Sequence, residues 1–283
     1  MNRPVARVIA IANQKGGVGK TTTAVNLAAS LAVAERRTLL IDGDPQGNAT
    51  SGVGIERASF ERTTYDVLLG EAGIAETRLR QVQFQHLDVV PATPDLAGAE
   101  IELVDAPERE QRMRRAVQSV QHEYDFVLID CPPSLGLITL NMLAAADALL
   151  IPLQCEYYAL EGLSQLLNTV HLIQHSVNPG LGITGVLLTM YDARLNLSRQ
   201  VAADAREYFG AQVFDTVVPR NVRLAEAPSF GKPIVLYDVQ SIGAQAYIAV
   251  ADELMRREAS TTSDKMSHVA HDAGSAATRE AST

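Results

Sequence analysis

The amino-acid sequence predicts an α/β fold, a doubly wound and mostly parallel β-sheet with helices on both faces. Short apolar runs lack polar alternation, which is typical of strands buried on both sides. Longer helical patterns lie between these runs, as strand–helix–strand repetition requires. The predicted strands are Val8–Asn13, Thr38–Asp42, Leu87–Pro91, Phe126–Asp130, Ala148–Leu153, Ile183–Tyr191 and Val213–Pro219. The predicted helices are Lys20–Arg36, Glu108–Glu123, Ala159–Gln174, Ser198–Phe209 and Gly243–Arg257.

Composition limits the class of protein. The chain has 283 residues, of which 47% are hydrophobic and 20% charged, as in a globular protein with a well-filled core. A net charge of -9 argues against a surface coated in nucleic acid, although a local basic patch remains compatible with it. Cys131 and Cys155 lack metal-site spacing, so we expect them to be small core residues. We find no leader pattern and no apolar run of membrane-spanning length, and therefore expect a cytoplasmic protein.

The composition changes near residue 258. From there on the chain is rich in Ser, Thr and Ala and has almost no apolar residues. Such a segment buries too little apolar surface to offset its ordering entropy. We therefore expect one globular domain over residues 1–257 and a disordered polar tail over residues 258–283.

A glycine-rich segment follows the first predicted strand and opens the first predicted helix. Its residues are Lys15, Gly16, Gly17, Val18, Gly19, Lys20, Thr21 and Thr22. Glycines let backbone N–H groups close around phosphate oxygens, and the helix N-terminus adds its positive dipole end. In a P-loop of this kind Lys20 contacts the β- and γ-phosphates and the Thr21 hydroxyl binds Mg²⁺. The sequence therefore predicts a P-loop NTPase that takes ATP and Mg²⁺.

Acidic residues end two of the predicted strands. Asp42 and Asp44 follow the second strand, where an acid facing the phosphates can orient water or Mg²⁺. A strand-end pair that merely caps the next turn is the alternative interpretation. Asp130 ends the run Phe126–Asp130, four apolar residues followed by an acid. This is a Walker B pattern, and we expect Asp130 to hold Mg²⁺ through a water molecule.

The glycine-rich segment departs from the standard P-loop pattern G-x-x-x-x-G-K-[ST], because no glycine stands at the first glycine position and a second lysine, Lys15, precedes the glycines. In this it resembles the deviant Walker A motif of the ParA/MinD family of ATPases, and the resemblance extends over residues 7–257. It implies a homodimer with ATP sandwiched between the two protomers, in which Lys15 and Lys20 both serve catalysis. Lys15 reaches the nucleotide that the partner binds.

The family pattern D-x-D-P-Q-x-N matches the chain from Asp42 to Asn48. The resemblance implies that Asp44 positions the attacking water and that Asp42 supports Mg²⁺. Gly43 stands at the variable place, which is often apolar in relatives, and we expect it to weaken the strand end slightly. The resemblance also implies that Pro219 and Asn221 contact adenine. A proline-terminated strand followed by an asparagine turn is the alternative for those two residues.

Two further segments, Gln154–Gly162 and Pro219–Ile234, resemble the chromosomal ParA (Soj) branch, whose members segregate DNA with a ParB partner. The resemblance implies that the ATP dimer binds double-stranded DNA without sequence preference. Cations on one face of the dimer would contact the phosphates. The candidates are Arg194, Arg220, Arg223 and Lys232. For each arginine taken singly, an ordinary surface salt bridge is the alternative.

The resemblance thus implies a slow, partner-stimulated ATPase that segregates chromosome or plasmid DNA at the nucleoid. A ParA-like positioning ATPase for a non-DNA cargo is the alternative function. A MinD-like membrane ATPase is disfavoured, because it needs a basic amphipathic helix at the C-terminus. The last predicted helix, Gly243–Arg257, instead carries Asp252 and Glu253.

Overall fold

A parallel six-stranded sheet organises the chain. The computed structural model describes residues 5–156 and 159–260. The strands are β1 (Arg7–Ile11), β2 (Thr38–Asp42), β3 (Leu87–Val90), β4 (Phe126–Asp130), β5 (Ala148–Gln154) and β6 (Gly182–Thr189). Their order in the sheet is β3-β2-β4-β1-β5-β6, and every pair of neighbouring strands is parallel. The predicted fold class is confirmed.

Helices fill the connections between the strands. They are α1 (Lys20–Val33), α2 (Asn48–Gly52), α3 (Thr64–Leu69), α4 (Ile74–Thr77), α5 (Ala99–Glu102), α6 (Arg112–Val120), α7 (Leu137–Ala145), α8 (Ala159–Ser176), α9 (Asn196–Phe209), α10 (Val222–Glu226), α11 (Ile234–Tyr237) and α12, which spans residues 242–260. Short 3₁₀ turns occur at Arg57–Ser59, Pro94–Gly98, Gln121–Glu123, Gly210–Gln212 and Ala227–Phe230. Within residues 5–156 and 159–260, no helix combines the length and the apolar character needed to cross a membrane.

Two hydrophobic clusters lie on opposite faces of the sheet. Along β1, Val8 and Ala10 join one cluster, which includes residues of α6, α7 and α9. Ile9 and Ile11 point the other way and join a second cluster with residues of α1 and α12. Both faces of the strands are therefore covered, which explains why the strand sequences are apolar without alternation.

The prediction of a seventh strand over Val213–Pro219 is wrong. Near its two ends the segment makes isolated bridges with β6 and the loop after it, and the N–H groups of Phe214 and Val218 donate to β6 carbonyls. In the middle of the segment, the backbone N–H groups of Asp215 and Thr216 donate to the Glu253 carboxylate of α12, each at 2.9 Å. These donors are therefore used by a side chain and cannot build a strand ladder.

Some helix boundaries also differ from the predictions. The helix predicted from Glu108 begins at Arg112, and Glu108 itself has a φ of 51°, which a helix does not allow. At the other end of the chain, α12 continues through residue 260 and so includes the first three residues of the predicted tail. There Glu258 pairs with Arg7 of β1 at 2.9 Å. The rest of the predicted tail, residues 261–283, lies outside the described residues.

Gly43 allows β2 to approach β4 closely just beyond the two strand ends. Its N–H donates to the carbonyl oxygen of Asp130 at 2.9 Å. A Cβ at this position would lie 2.7 Å from that oxygen and 3.0 Å from the Met142 methyl group. The close approach therefore leaves no room for a side chain at Gly43, and the weakening of the strand end stays a prediction.

We expect Gly43→Ala to destabilise the fold by about 1–3 kcal/mol, since the added methyl overpacks a site bounded by backbone. Denaturant unfolding followed by circular dichroism measures the effect. Gly180→Ala is the matched control, because its Cβ would lie 3.8 Å from the nearest atom, Asn178 Oδ1. Equal unfolding midpoints for the two variants would contradict the close-approach argument.

Candidate nucleotide-binding site

The glycine-rich loop joins β1 to α1 at the carboxyl end of the sheet. Gly17 and Gly19 have φ values of +73° and +90°, in the left-handed region that favours glycine. Gly19 is the N-cap of α1, and no side chain caps this helix end. The first N–H groups of α1 therefore need an acceptor, and a phosphate group suits them. A Cβ on Gly16 or Gly17 would meet no atom within 4 Å, so the loop is open on that side.

Asn13 anchors the start of the loop. Its Oδ1 accepts the Lys15 N–H at 3.0 Å, and its Nδ2 donates to the Pro152 carbonyl of β5 at 2.8 Å. An amide side chain here thus ties the loop to a neighbouring strand, which a glycine could not do. Asn13 therefore fixes the loop one residue ahead of the first glycine position of the standard pattern, which Gln14 occupies.

Thr189, the last residue of β6, anchors the middle of the loop. Its buried hydroxyl donates to the Val18 carbonyl at 2.8 Å. Its methyl group lies beside Gly19, whose added Cβ would be 3.8 Å away. The sequence analysis missed this residue, because a threonine inside an apolar strand pattern carries no signal of a loop contact.

Lys20 and Lys15 occupy different environments. Lys20 is only 7% exposed, and its ammonium donates to the Lys15 carbonyl at 3.2 Å. Burial lowers the pKa of Lys20, and the nearby carboxylates of Asp130 and Asp44 act in the opposite direction. The Lys15 side chain is 34% exposed, and its ammonium lies 3.8 Å from the Glu156 carboxylate. One lysine therefore faces the interior of the loop and the other faces outward.

Asp130 ends β4 with a completely buried carboxylate. Among the described residues, neither of its oxygens has a hydrogen-bond partner of good geometry. Burial and then the Asp42 charge raise the pKa of Asp130 well above its usual value, while the nearby Thr21 hydroxyl favours the ionised form. An unpaired buried carboxylate is unfavourable, and a divalent cation would stabilise it. Carboxylate and hydroxyl oxygens are ligands that suit Mg²⁺, so Asp130 and Thr21 fit the ion that the sequence predicts.

Asp42 has different contacts from those of Asp130, its partner in the β2–β4 register. One of its oxygens accepts the N–H of Thr50 at 2.8 Å and the Thr50 hydroxyl at 2.7 Å. The other accepts the Asp44 N–H at 3.2 Å. Burial raises the pKa of Asp42 despite these bonds. The contacts match the alternative interpretation, an acid that holds the following turn, and the role of Asp42 toward Mg²⁺ stays a prediction.

Asp44 lies two residues further on and is also buried. Its Oδ1 accepts the Gln46 N–H at 2.9 Å, and its carbonyl accepts the Gly47 N–H at 2.9 Å. The turn therefore fixes the carboxylate at the same edge of the sheet as Lys20, on whose pKa it acts. The structure brings Asp44 to the glycine-rich loop, as the sequence predicts.

A cavity of about 360 Å³ lies beside the loop. It is lined by Gly19, Thr22, Thr189, Met190, Val218, Pro219, Arg220, Asn221, Val222, Leu224, Ala225 and Tyr247. The lining is mostly apolar with a few polar groups, as expected for a site that takes a planar base. Asn221 Oδ1 also accepts the Leu224 N–H at 3.2 Å and caps α10, so the asparagine-turn alternative holds as well. Pro219 and Asn221 thus lie where a base next to the loop would bind.

The four candidate DNA-binding cations are exposed. Each arginine has an acidic neighbour: Arg194 pairs with Asp192 at 2.7 Å, Arg220 with Glu156 at 3.6 Å, and Arg223 with Glu226 at 3.0 Å. The alternative of ordinary surface salt bridges therefore describes the free chain. Such exposed pairs contribute roughly 0–1 kcal/mol, so a phosphate can replace the carboxylate at little cost.

Three features define a P-loop nucleotide-binding protein. They are the glycine-rich loop between β1 and α1, the buried acids Asp44 and Asp130 near Lys20, and the adjoining cavity of a size that suits a base. The chain matches the family model of an AAA domain over residues 6–183. It is 60% identical to the chromosome partitioning protein ParA of Myxococcus xanthus, covering 90% of this chain and 89% of that protein. It is 58% identical to the sporulation initiation inhibitor protein Soj of Bacillus subtilis, covering 88% and 98%. The chain belongs to the ParA/Soj family of P-loop ATPases.

A solved structure supports the same fold. The cobyrinic acid a,c-diamide synthase of Mycobacterium smegmatis, with bound ATP analogue and magnesium, superposes with a TM-score of 0.79 at 38% sequence identity. The match covers 91% of this chain and 97% of that one. The doubly wound P-loop fold is therefore shared along almost the entire length of both chains.

We expect Thr189→Val to weaken nucleotide binding about tenfold, corresponding to about 1.4 kcal/mol, because the buried Val18 carbonyl loses its donor. Valine keeps the shape of the side chain, and Thr189→Ser, which keeps the hydroxyl, is the matched control. Titration with a fluorescent ATP analogue measures the affinity, and thermal unfolding checks that the variants are folded. Wild-type affinity in Thr189→Val would show that β6 does not hold the loop in its binding form.

Proposed function

We propose that this chain is an ATP-dependent dimerising switch that binds double-stranded DNA without sequence preference and segregates chromosome or plasmid DNA with a ParB-like partner. The observation that carries the proposal is the division between the two lysines of the loop. Lys20 is buried among the carboxylates, whereas the Lys15 side chain is 34% exposed and its ammonium pairs with Glu156 outside the loop, on the side that we assign to the second protomer. Identities of 60% and 58% to partitioning relatives support the same function.

In this proposal, ATP lies across the loop between β1 and α1. Lys20 contacts the β- and γ-phosphates, the N–H groups from Gly16 to Thr22 surround the phosphates, and Pro219 and Asn221 contact adenine. Thr21 and Asp130 hold Mg²⁺, supported by Asp42. The metal ion neutralises charge on the phosphates.

Hydrolysis is assigned to the acid that the turn after β2 holds in place. Asp44 orients the attacking water, and Lys15 of one protomer stabilises the phosphates bound by the other. Intrinsic turnover is slow, because the ATP-bound state must persist long enough to act as a switch. The ParB-like partner stimulates it.

DNA binding is assigned to Arg194, Arg220, Arg223 and Lys232. A dimer brings two copies of this set together, which gives an acidic protein of net charge -9 a local cationic surface. Contacts to phosphates carry no sequence information, so the binding is non-specific and falls steeply with salt. The protein is then cytoplasmic and associated with the nucleoid.

The test is binding to a random-sequence duplex without nucleotide, with ADP and with a non-hydrolysable ATP analogue, each at two salt concentrations. We expect tight, salt-sensitive binding only with the analogue. Arg223→Glu should abolish it and leave dimerisation intact. Arg80→Glu is the control, since Arg80 pairs with Glu123 at 3.7 Å and is not one of the DNA-binding candidates. Absence of DNA binding in every state would favour a positioning ATPase for a non-DNA cargo.

We expect Asp44→Ala to keep ATP binding and to lose hydrolysis by about a hundredfold or more, which traps the DNA-bound dimer. The control is Asp204→Ala on α9, where the acid contacts only the Gln200 side chain among its described hydrogen bonds. Phosphate release and retention on DNA after ATP addition measure the two effects. Turnover at the wild-type rate would refute the assignment of Asp44.

A further inference from the structure

Gln154 is the last residue of β5, and Glu156 lies two residues beyond it. Both belong to the segment that resembles the Soj branch, and the proposed function gives them no role. In the structure, Glu156 lies between two residues that do have one. Its Oε2 is 3.8 Å from the Lys15 ammonium, and its Oε1 is 3.6 Å from the Arg220 guanidinium. The Gln154 side chain donates to the same Oε1. One carboxylate therefore faces a nucleotide-site lysine and a DNA-binding candidate together.

We propose that Glu156 is a positioning residue, a shared counter-ion that holds Lys15 and Arg220 in the free chain and so opposes both dimerisation and DNA binding. The inference rests on the proposed function, which sends Lys15 to the partner's nucleotide and Arg220 to a DNA phosphate. Gln154, the last residue of β5, orients the carboxylate from a fixed strand end. In the Q-x-E pattern, the glutamine thus orients the glutamate, and the glutamate holds the two cations.

Lys15 and Arg220 share one carboxylate, and this sharing explains why Glu156 opposes dimerisation combined with DNA binding. If only one cation leaves, Glu156 keeps the other as its counter-ion. If Lys15 and Arg220 both leave, the carboxylate loses both of its ion pairs. The DNA-bound dimer therefore requires two ion pairs to be broken in each protomer, and these pairs stabilise the free chain against premature switching.

The acids that pair with Arg223 and Arg194 are not shared with Lys15. Glu226 pairs with Arg223 at 3.0 Å and accepts the Tyr237 hydroxyl at 3.1 Å, and no described contact connects it to the glycine-rich loop. Asp192 likewise pairs with Arg194. Glu226→Gln is therefore a matched control for Glu156→Gln, since each removes one exposed carboxylate beside one candidate arginine.

The first measurement needs neither dimer nor DNA. Lys15 in the nucleotide-free protein is acylated with an amine-reactive ester, and the rate is followed by mass spectrometry of the Lys15 peptide. We expect acylation a few-fold faster in Glu156→Gln and unchanged in Glu226→Gln, because the ion pair with Glu156 restricts the side-chain conformations in which the Lys15 nitrogen can meet the reagent. Equal rates in wild type and Glu156→Gln would overturn the inference, whatever becomes of the proposed function.

The second measurement is dimerisation with a non-hydrolysable ATP analogue, followed by sedimentation velocity. Dimerisation without DNA breaks the Lys15–Glu156 pair of each protomer, which makes two weak, exposed pairs per dimer. We therefore expect Glu156→Gln to lower the dimer dissociation constant about two- to tenfold. Glu226→Gln should leave it unchanged. A weaker dimer in Glu156→Gln would mean that Glu156 supports the dimer, contrary to the inference. A wild type that stays monomeric would instead refute the proposed switch and leave the acylation result to decide on Glu156.

The third measurement tests Arg220 with a random-sequence duplex. Glu156→Gln should raise DNA affinity, and this gain should vanish in an Arg220→Ala background. Glu226→Gln, which releases Arg223, should also raise DNA affinity, and its gain should persist in that background. A gain from Glu156→Gln that survives Arg220→Ala would overturn the link to Arg220. Failure of the wild type to bind DNA in any nucleotide state would count against the proposed DNA function and not against the Lys15 pair.

Discussion

The site depends on a buried carboxylate for which the described residues provide no hydrogen bond of good geometry. Asp130 ends β4 near the centre of the sheet, fully buried and without a well-formed partner among the described residues. Such a group is unfavourable by itself, and burial shifts it toward its neutral form. The ammonium of Lys20 acts against that shift, so the position of the glycine-rich loop decides how well the carboxylate is accommodated. The fold therefore anchors that loop firmly, through Asn13 to β5 and through Thr189 to β6.

Parallel topology explains how a few short loops can build the site. All six strands run in one direction, so their carboxyl ends meet along one edge of the sheet. This edge carries the glycine-rich loop after β1, the acidic turn after β2, Asp130 at the end of β4 and Thr189 at the end of β6. The close approach at Gly43 brings the acidic turn against the end of β4, with a hydrogen bond of 2.9 Å. Asp42, Asp44 and Asp130 are thereby packed at one edge of the sheet, and each carboxylate has different partners.

The sequence revealed those features whose signal is local. Apolar runs predicted seven strands, of which the sheet contains six, and the glycine spacing with its two lysines predicted the nucleotide loop. The failures share one physical cause, a partner distant in sequence. The supposed strand Val213–Pro219 gives its central N–H groups to Glu253, 37 and 38 residues away, and no pattern within the segment records that. The motif around Asp42 likewise gives no sign of Thr50, whose hydroxyl and N–H both donate to one of the two Asp42 oxygens. Thr189 contacts Val18 across 171 residues and was invisible for the same reason.

The proposed DNA-binding segment is attached mechanically to the nucleotide loop. Asn26 of α1 accepts the Ile234 N–H at 2.7 Å and donates to the Thr22 carbonyl at 2.8 Å. Both bonds involve a buried amide, which rigidly connects the start of α1 to the chain that carries Lys232. A shift of the loop around a nucleotide would therefore move the cationic segment as well. Charge works alongside this connection in the proposed function, where the exposed arginines exchange weak carboxylate partners for DNA phosphates.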